Sequence, residues 1–269
     1  MNDAVTGTVH LVGAGPGAPD LLTLRAARLL GEADIVFYDA LVPDGILDLI
    51  CTTRRFPVGK RCGKHSTAQR FINKRLADAA RRYRTVVRLK GGDPMLFGRA
   101  DEEIRFLEKE GIKVEVVPGI TAAFAASAEL ATSLTRRGVS RSVVFATPRH
   151  GEGESPSHWA RAAAAADTAV LYMAAGDAEA VRTSLLEEGL HPDTPVAVAE
   201  NVSLSFQKVF TGKLWELPAL ASRCTGGPAL LLIGEVLREL AQRYLPSTSG
   251  KVRSSAGAEA LPRVASQRA

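Results

Sequence analysis

The feature that most constrains the fold is a regular alternation of short apolar strands with amphipathic helices in the first half of the chain. Strands are predicted at residues 9–12, 35–38, 85–89 and 114–117. Asp20 is expected to cap a helix over 21–30, and Gly111 to end a helix over 101–110. Repeated β-α units of this kind predict a mainly parallel sheet with helices on both faces.

The second half of the chain also has an α/β pattern. Its predicted strands are 143–146, 169–173, 195–199, 207–211 and 229–233, and its predicted helices include 177–188 and 235–244. We therefore expect an α/β fold with two domains, 1–120 and 121–244. The remaining residues, 245–269, are rich in Ser, Ala and Gly without periodicity, and we expect a disordered tail there.

Composition excludes several classes of protein. The 269 residues contain no run of 18 or more uncharged apolar residues, so no membrane span is expected. The first residues lack a basic stretch followed by an apolar core, which favours a cytoplasmic protein without a signal peptide. Three cysteines form no CxxC pair and five histidines form no HxH or HxxxH pair, so no metal site is expected.

Positive charge is concentrated in one segment. Residues 54–90 hold 13 Lys or Arg and a single acid, Asp78, although the whole chain has a net charge of only +5. Such a segment attracts an anion, which leaves nucleic acid, a membrane surface and a small polycarboxylate as candidates. A solvated basic helix face would explain residues 70–84 equally well.

Two glycine-rich turns follow predicted strands. The first is GAGPG from Gly13, and the second is KGGDP from Lys90. Ligands of open α/β sheets bind at the carboxyl ends of strands, so two such turns suggest one cleft. The first turn lacks the GxGxxG spacing, since Ala18 occupies the last position, and Pro16 removes a backbone N–H that would bind pyrophosphate. A purely structural turn also remains open, and a nucleoside carrying an amino acid fits better than a nucleoside triphosphate.

The order of motifs resembles the tetrapyrrole methylases. The matching segments are VGAGPGAPDLLTL, YDALV, VGKRCGKHS, VVRLKGGDPMLFGR, VVPGITAA, SLTRRGVS, LYM and PALLLIGEV. This resemblance implies two α/β domains with a cleft between them, a homodimer and S-adenosylmethionine as methyl donor. It also implies methylation of uroporphyrinogen III at C2 and C7 to give precorrin-2 via precorrin-1. That product serves sirohaem, cobalamin or haem d1 synthesis.

The resemblance also implies roles for individual residues. The positions that match cofactor contacts are Pro16, Gly91, Gly92, Asp93, Leu96, Thr121, Ala122, Met173, Val202 and Ala229. Asp39 matches the family's proton acceptor and Lys60 its proton donor. For Leu96, Met173 and Ala229, simple core packing is the alternative.

The basic segment then has a candidate partner, because uroporphyrinogen III carries eight carboxylates at neutral pH. We expect these carboxylates to be bound by Arg61, Lys64, Arg88, Arg136 and Arg137, since guanidinium forks suit carboxylates. The small-molecule tetrapyrrole is thus the expected partner, without nucleic acid or membrane.

Some positions depart from the family pattern. Ala40 stands where an arginine usually follows the proton acceptor, and Val202 replaces a small residue. Three rival functions stay open: a later corrin-ring methylase, an RNA 2′-O-methyltransferase and a nicotinamide-dependent oxidoreductase. The intact VGKR segment favours the first methylation over a later one. Few aromatic residues in the basic segment count against RNA stacking, and 269 residues leave no room for an oxidoreductase domain.

Overall fold

The first half of the chain forms a five-stranded parallel sheet. A computed structural model describes residues 6–58, 67–151, 153 and 157–240. The strands are β1 (Thr8–Gly13), β2 (Ile35–Tyr38), β3 (Arg55–Pro57), β4 (Thr85–Lys90) and β5 (Val114–Val117). Their order is β3-β2-β4-β1-β5, and every neighbouring pair is parallel. The predicted parallel sheet is confirmed.

Helices cover both faces of this sheet, as expected. They are α1 (Leu24–Glu32), α2 (Asp44–Leu47), α3 (Thr67–Ala80) and α4 (Ala100–Lys109). On one face, Leu30 of α1 and Ile46 of α2 belong to the same buried cluster as Val87. On the other face, Leu76 of α3 and Leu107 of α4 pack with strand residues of the opposite parity. The apolar side chains of each strand are therefore buried on both sides.

The second half forms a separate sheet with mostly antiparallel pairing. Its strands are β6 (Val143–Ala146), β7 (Thr168–Tyr172), β8 (Pro195–Glu200), β9 (Lys208–Lys213) and β10 (Ala229–Gly234), and its helices are α5 (Ala122–Glu129), α6 (Trp159–Ala165), α7 (Ala178–Glu187) and α8 (Leu217–Ala221). The order is β6-β7-β10-β8-β9, and only β6 and β7 run parallel. Helix α5 covers one face, while α6, α7 and α8 cover the other.

The nine predicted strands are present, and one further strand was not predicted. The missed strand is β3, whose three residues are all exposed at the edge of the sheet and so show no buried alternation. The first sheet ends at Val117 and the second begins at Val143, so the predicted boundary at residue 120 lies between the two sheets. The exact domain limits stay a prediction. Residues 245–269 lie outside the described part of the chain.

The predicted cap of the first helix was wrong. Asp20 lies in a short 3-10 helix, Pro19–Leu21, and α1 begins only at Leu24. The capping residue is Thr23, whose hydroxyl accepts a hydrogen bond from Ala26 N at 3.2 Å. Pro19 sets the 3-10 turn and delays the helix by one turn.

None of the described helices is long and apolar enough to cross a membrane. The described residues also include no group of three or more His, Cys, Asp or Glu side chains placed to hold a metal ion.

The assignment of the helix cap can be tested with two single substitutions, Thr23→Ala and Asp20→Ala. Thr23→Ala should lower the free energy of unfolding by about 1 kcal/mol, because it removes a partner for a helix N-terminal N–H. Asp20→Ala should change it by less than about 0.5 kcal/mol, as an exposed side chain outside the cap. Chemical denaturation measures both values, and equal losses would contradict the assignment.

Candidate active site

Three backbone turns meet at the carboxyl edge of the first sheet. Gly15 and Gly92 exchange two backbone hydrogen bonds, of 3.2 and 2.7 Å, which join the turns after β1 and β4. The turn after β5 joins them at Gly119, where an added Cβ would lie 2.2 Å from Gly92 O. A Cβ on Gly13 would lie 2.6 Å from Gly119 Cα. Only residues without side chains permit this approach.

Asp93 ties two of these turns together. Its Oδ1 accepts a hydrogen bond from Met95 N at 2.8 Å, and its Oδ2 accepts one from Gly119 N at 2.9 Å. The carboxylate that was predicted to face a ligand therefore also holds the turns after β4 and β5. Each oxygen has a further lone pair with which it can accept from a bound amine or hydroxyl.

The second sheet reaches the same edge through the loop after β8. Ser203 Oγ accepts a hydrogen bond from Ala18 N at 3.0 Å, and an added Cβ on Gly17 would lie 2.9 Å from Leu204. Asn201 and Ser203 have φ values of 54° and 69°, a backbone conformation that residues other than glycine rarely adopt. Strained backbone of this kind is concentrated at functional sites.

Glu200, the last residue of β8, anchors the start of that loop to the segment that precedes β10. The buried carboxylate accepts hydrogen bonds from Thr225 N at 2.7 Å and Gly227 N at 2.8 Å. Burial acts to raise the pKa of Glu200, but these hydrogen bonds outweigh it and hold the pKa below its usual value. Glu200 thus stays charged and keeps the loop in place.

A tyrosine joins the two halves of the chain on the other side of the edge. Tyr172 Oη lies 2.5 Å from Thr121 Oγ1 and accepts a hydrogen bond from Ala123 N at 3.3 Å, at the N-terminus of α5. Burial raises the pKa of Tyr172. The ring of Phe97, from the turn after β4, lies 5.0 Å from the Tyr172 ring, centroid to centroid.

All ten predicted cofactor positions lie around this edge or in the turns next to it. Ala229 pairs with Glu200 and Leu230 with Tyr172, so the ends of β7, β8 and β10 lie side by side. The positions are Pro16 after β1; Gly91, Gly92, Asp93 and Leu96 after β4; Thr121 and Ala122 after β5; Met173 after β7; Val202 after β8; and Ala229 in β10. Their cofactor contacts stay a prediction.

Two of these positions have a distinct local structure. Met173 leaves the strand with a φ of 56°, and its side chain is 42% exposed. Val202 is 5% exposed and packs in the core beside α5, so only its backbone is available to a ligand. The departure from a small residue at Val202 is therefore absorbed by the core.

The predicted proton acceptor lies at the same carboxyl edge. Asp39 follows β2, and its backbone N–H donates to Leu89 O of β4 at 3.2 Å. Its Oδ1 accepts a hydrogen bond from Arg88 Nη2 at 2.5 Å, while the side chain remains 25% exposed. The Asp39 carboxylate is therefore fixed in position by Arg88 and still open to a molecule in the solvent.

Arg88 does not have the accessible position that was predicted for a substrate ligand. The side chain is 2% exposed, and its guanidinium already binds Asp39 and Glu103. Burial opposes the charge, but the two carboxylates outweigh burial and raise the pKa of Arg88. The structure therefore assigns Arg88 to the support of Asp39.

The other predicted substrate cations are not brought to this edge within the described chain. Arg136 pairs with Glu239 at 2.8 Å, and Arg137 is exposed. Their turn is held by Ser140, whose hydroxyl lies 2.9 Å from Thr168 Oγ1 at the start of β7. That point is four strand residues, or about 13 Å, from Tyr172. Lys60, Arg61 and Lys64 lie outside the described residues.

The sequence reasoning missed two residues at this site. Glu103 occupies the buried stripe of α4, between Ala100 and Leu107, where a charged residue breaks the apolar pattern. That break was a usable signal. Tyr172 lies within the matched segment LYM, but its residue type gave no signal of its own, because an aromatic residue at the end of a strand is ordinary.

Comparison with known proteins identifies the family. The sequence model of the family of tetrapyrrole (corrin/porphyrin) methylases matches residues 8–218. The chain belongs to the tetrapyrrole methylase family. It is 44% identical to a uroporphyrinogen-III C-methyltransferase of Pseudomonas aeruginosa, over 88% of this chain and 96% of that protein.

Two further relatives extend the comparison. The chain is 43% identical to a siroheme synthase of Vesicomyosocius okutanii over 88% of its own length, but it spans only 51% of that longer protein. A crystal structure of the Thermus thermophilus uroporphyrin-III C-methyltransferase complexed with S-adenyl homocysteine superposes with a TM-score of 0.76 at 37% identity, and the match covers 87% of this chain and 94% of that one.

The contact between the turns can be tested with a matched pair of glycine substitutions. Gly119→Ala should destabilise the protein by about 1–3 kcal/mol and weaken S-adenosylhomocysteine binding, because the new methyl group collides with Gly92 O. Gly31→Ala, in α1 with open space around it, should be neutral or stabilising by up to about 1 kcal/mol. Thermal unfolding and calorimetric titration measure the two effects. A Gly119→Ala variant as stable as wild type would refute the close contact.

Proposed function

We propose that this protein transfers methyl groups from S-adenosylmethionine to carbon atoms of uroporphyrinogen III. The proposed products are precorrin-1 and then precorrin-2, after methylation at C2 and C7, for sirohaem, cobalamin or haem d1 synthesis. The observation that carries the proposal is the 44% identity with a uroporphyrinogen-III C-methyltransferase over nearly the full length of both chains. The family resemblance also supports a proposed homodimer, and a cytoplasmic location is proposed as well.

The carboxyl edge has features that suit S-adenosylmethionine. Beside Gly92, no heavy atom of the described chain lies within 4 Å of the Cβ position, which leaves space against bare backbone. The side chains of Leu96 and Met173 are partly exposed there, as apolar surface for a thioether and an adenine. When bound, S-adenosylmethionine supplies an electrophilic methyl group. The chain's own task is to hold donor and acceptor in line and exclude water.

Asp39 is the residue that we propose moves a proton. Transfer of the methyl group breaks its bond to sulfur and leaves a positive charge on the macrocycle, which is relieved by loss of a proton. The partly exposed Asp39 carboxylate is the proposed acceptor of that proton. Arg88 holds this carboxylate in one orientation. Lys60, which lies outside the described residues, is the proposed proton donor. No metal or covalent nucleophile is needed for these steps.

Asp39→Asn provides the test of the reaction and its base. Under anaerobic conditions with enzymatically generated uroporphyrinogen III, wild-type protein should add two methyl groups, measured as product mass. Asp39→Asn should lower the rate by about 10²- to 10⁴-fold, since it removes the proton acceptor. Binding of S-adenosylhomocysteine should stay unchanged, and Asp48→Asn, an exposed aspartate after α2, should keep wild-type activity. Normal S-adenosylhomocysteine binding without methylation by wild type would point instead to later corrinoids or RNA.

Arg61 and Arg137 are the proposed cations for the substrate carboxylates, and Arg137 would bind those carboxylates that extend beyond the carboxyl edge. Arg137 is exposed and forms no salt bridge within the part of the chain that the structure describes. Arg61→Gln or Arg137→Gln should therefore raise KM for the tetrapyrrole and leave S-adenosylmethionine affinity unchanged. Arg105→Gln, on the exposed face of α4, is the control with no expected effect. Equal weakening of both ligands would refute the assignment.

A further inference from the structure

Four charged side chains of alternating sign form a continuous network below the carboxyl edge. Asp39 accepts from Arg88 at 2.5 Å, Arg88 Nε donates to Glu103 Oε1 at 3.1 Å, and Lys90 Nζ donates to both oxygens of Glu103 at 3.1 Å. Only Asp39 reaches solvent appreciably, since Arg88, Lys90 and Glu103 are 2%, 3% and 0% exposed. The network runs from the core to the proposed base.

Glu103 is the centre of this network. Besides the two cations, its Oε1 accepts a hydrogen bond from Gln69 Nε2 at 2.9 Å, and Gln69 in turn donates to Asn73 Oδ1 at 3.0 Å. Replacement of the whole buried set of charges by well-packed apolar residues would often cost no stability, because the attraction within a buried ion pair rarely exceeds its desolvation cost. The charges are therefore better explained by what they hold than by stability.

What Glu103 holds is the orientation of Arg88. One edge of the guanidinium, through Nε, binds Glu103, and Nη2 on the same group binds Asp39. The fixed planar geometry of arginine transmits the position of the first carboxylate to the second. By contrast, the glycine turn after Lys90 is held by backbone contacts, including Ala14 N to Lys90 O at 2.7 Å, and does not depend on Glu103.

Lys90 balances the charge of Glu103. Burial and the nearby Arg88 both lower the pKa of Lys90, while Glu103 and Asp39 act to raise it. A further carboxylate near the network, Glu102, is paired with Arg99 on the surface of α4. Within the described residues, the network thus carries two positive and two negative charges.

We propose that Glu103 is a positioning residue for the methyl transfer, which orients Asp39 through Arg88 and sets the charge felt by that carboxylate. This inference rests on the proposed function. Loss of the Glu103 charge leaves an excess positive charge in the network beside the proposed base, so the acidic limb of the activity profile should move to lower pH. Loss of its charge also weakens the hold on Arg88 Nε, and the guanidinium then keeps only its hydrogen bond from Nη1 to Leu89 O at 3.2 Å and its pair with Asp39 at full strength.

The test compares Glu103→Gln with the double variant Glu103→Gln/Lys90→Met, which removes one charge of each sign. In Glu103→Gln, kcat should fall about 10- to 100-fold, and the acidic limb of its pH profile should move down by on the order of one pH unit. In the double variant the limb should return to the wild-type pH, while kcat stays low because a neutral amide holds Arg88 more weakly than the Glu103 carboxylate does. Glu108→Gln, an exposed glutamate on α4, is the control.

The remaining readouts separate positioning from damage to the fold. Affinity for S-adenosylhomocysteine should remain within about threefold in every variant. If Glu103→Gln does not fold, the test is made on the double variant alone. That variant should have a low kcat and an acidic limb at the wild-type pH. An unmoved limb in Glu103→Gln, wild-type kcat in the double variant, or a parallel loss of kcat and affinity would overturn the inference. Wild-type protein that binds S-adenosylhomocysteine but does not methylate uroporphyrinogen III would overturn the proposed function and the inference with it.

Discussion

The close approach of three glycine-containing turns is the constraint on which the rest of the site depends. Gly13, Gly92 and Gly119 bring the ends of β1, β4 and β5 into direct backbone contact. Side chains at Gly13 or Gly119 would separate the strands and open the edge, while Gly92 contributes its backbone oxygen to the contact. The loops that continue from this contact then meet the second sheet, through Ala18 to Ser203 and through Phe97 to Tyr172. The backbone contact between these turns thereby sets the distance between the two sheets at the cleft.

The same packing changes the meaning of the basic segment. Of the cations between residues 54 and 90, Arg88 and Lys90 are internal and neutralised by carboxylates. Arg75 stacks on the rings of Phe56 and Phe71, with its guanidinium carbon 5.5 and 5.3 Å from their centroids. The formal charge of the sequence therefore overstates the field that an approaching polycarboxylate meets, because part of it serves the fold and the proposed base.

Much of this architecture could be predicted from the sequence, and the failures have physical causes. The strands Ile35–Tyr38 and Val114–Val117 were predicted with their observed bounds, because each is a run of mostly apolar residues between polar or turn-forming ones. The antiparallel pairing of the second sheet left no trace in its apolar runs, since a buried strand reads alike in either direction. The burial of Arg88 was also hidden, because its partner Glu103 is 15 residues away on another element. The proposed cofactor positions come from the family motifs, because local sequence patterns alone do not separate such positions from core packing.

The strand order has a mechanical consequence. β4 is the central strand of the first sheet, bonded to β2 on one side and β1 on the other. The end of β4 carries Gly91 and Gly92, while Asp39 is bonded to the same strand by its main chain and, through Arg88, by its side chain. Thermal displacement of β4 along its axis therefore carries the proposed base and the donor turn together. Such motions of the sheet therefore change the distance between Asp39 and the glycine turn very little, even while the loops around them move.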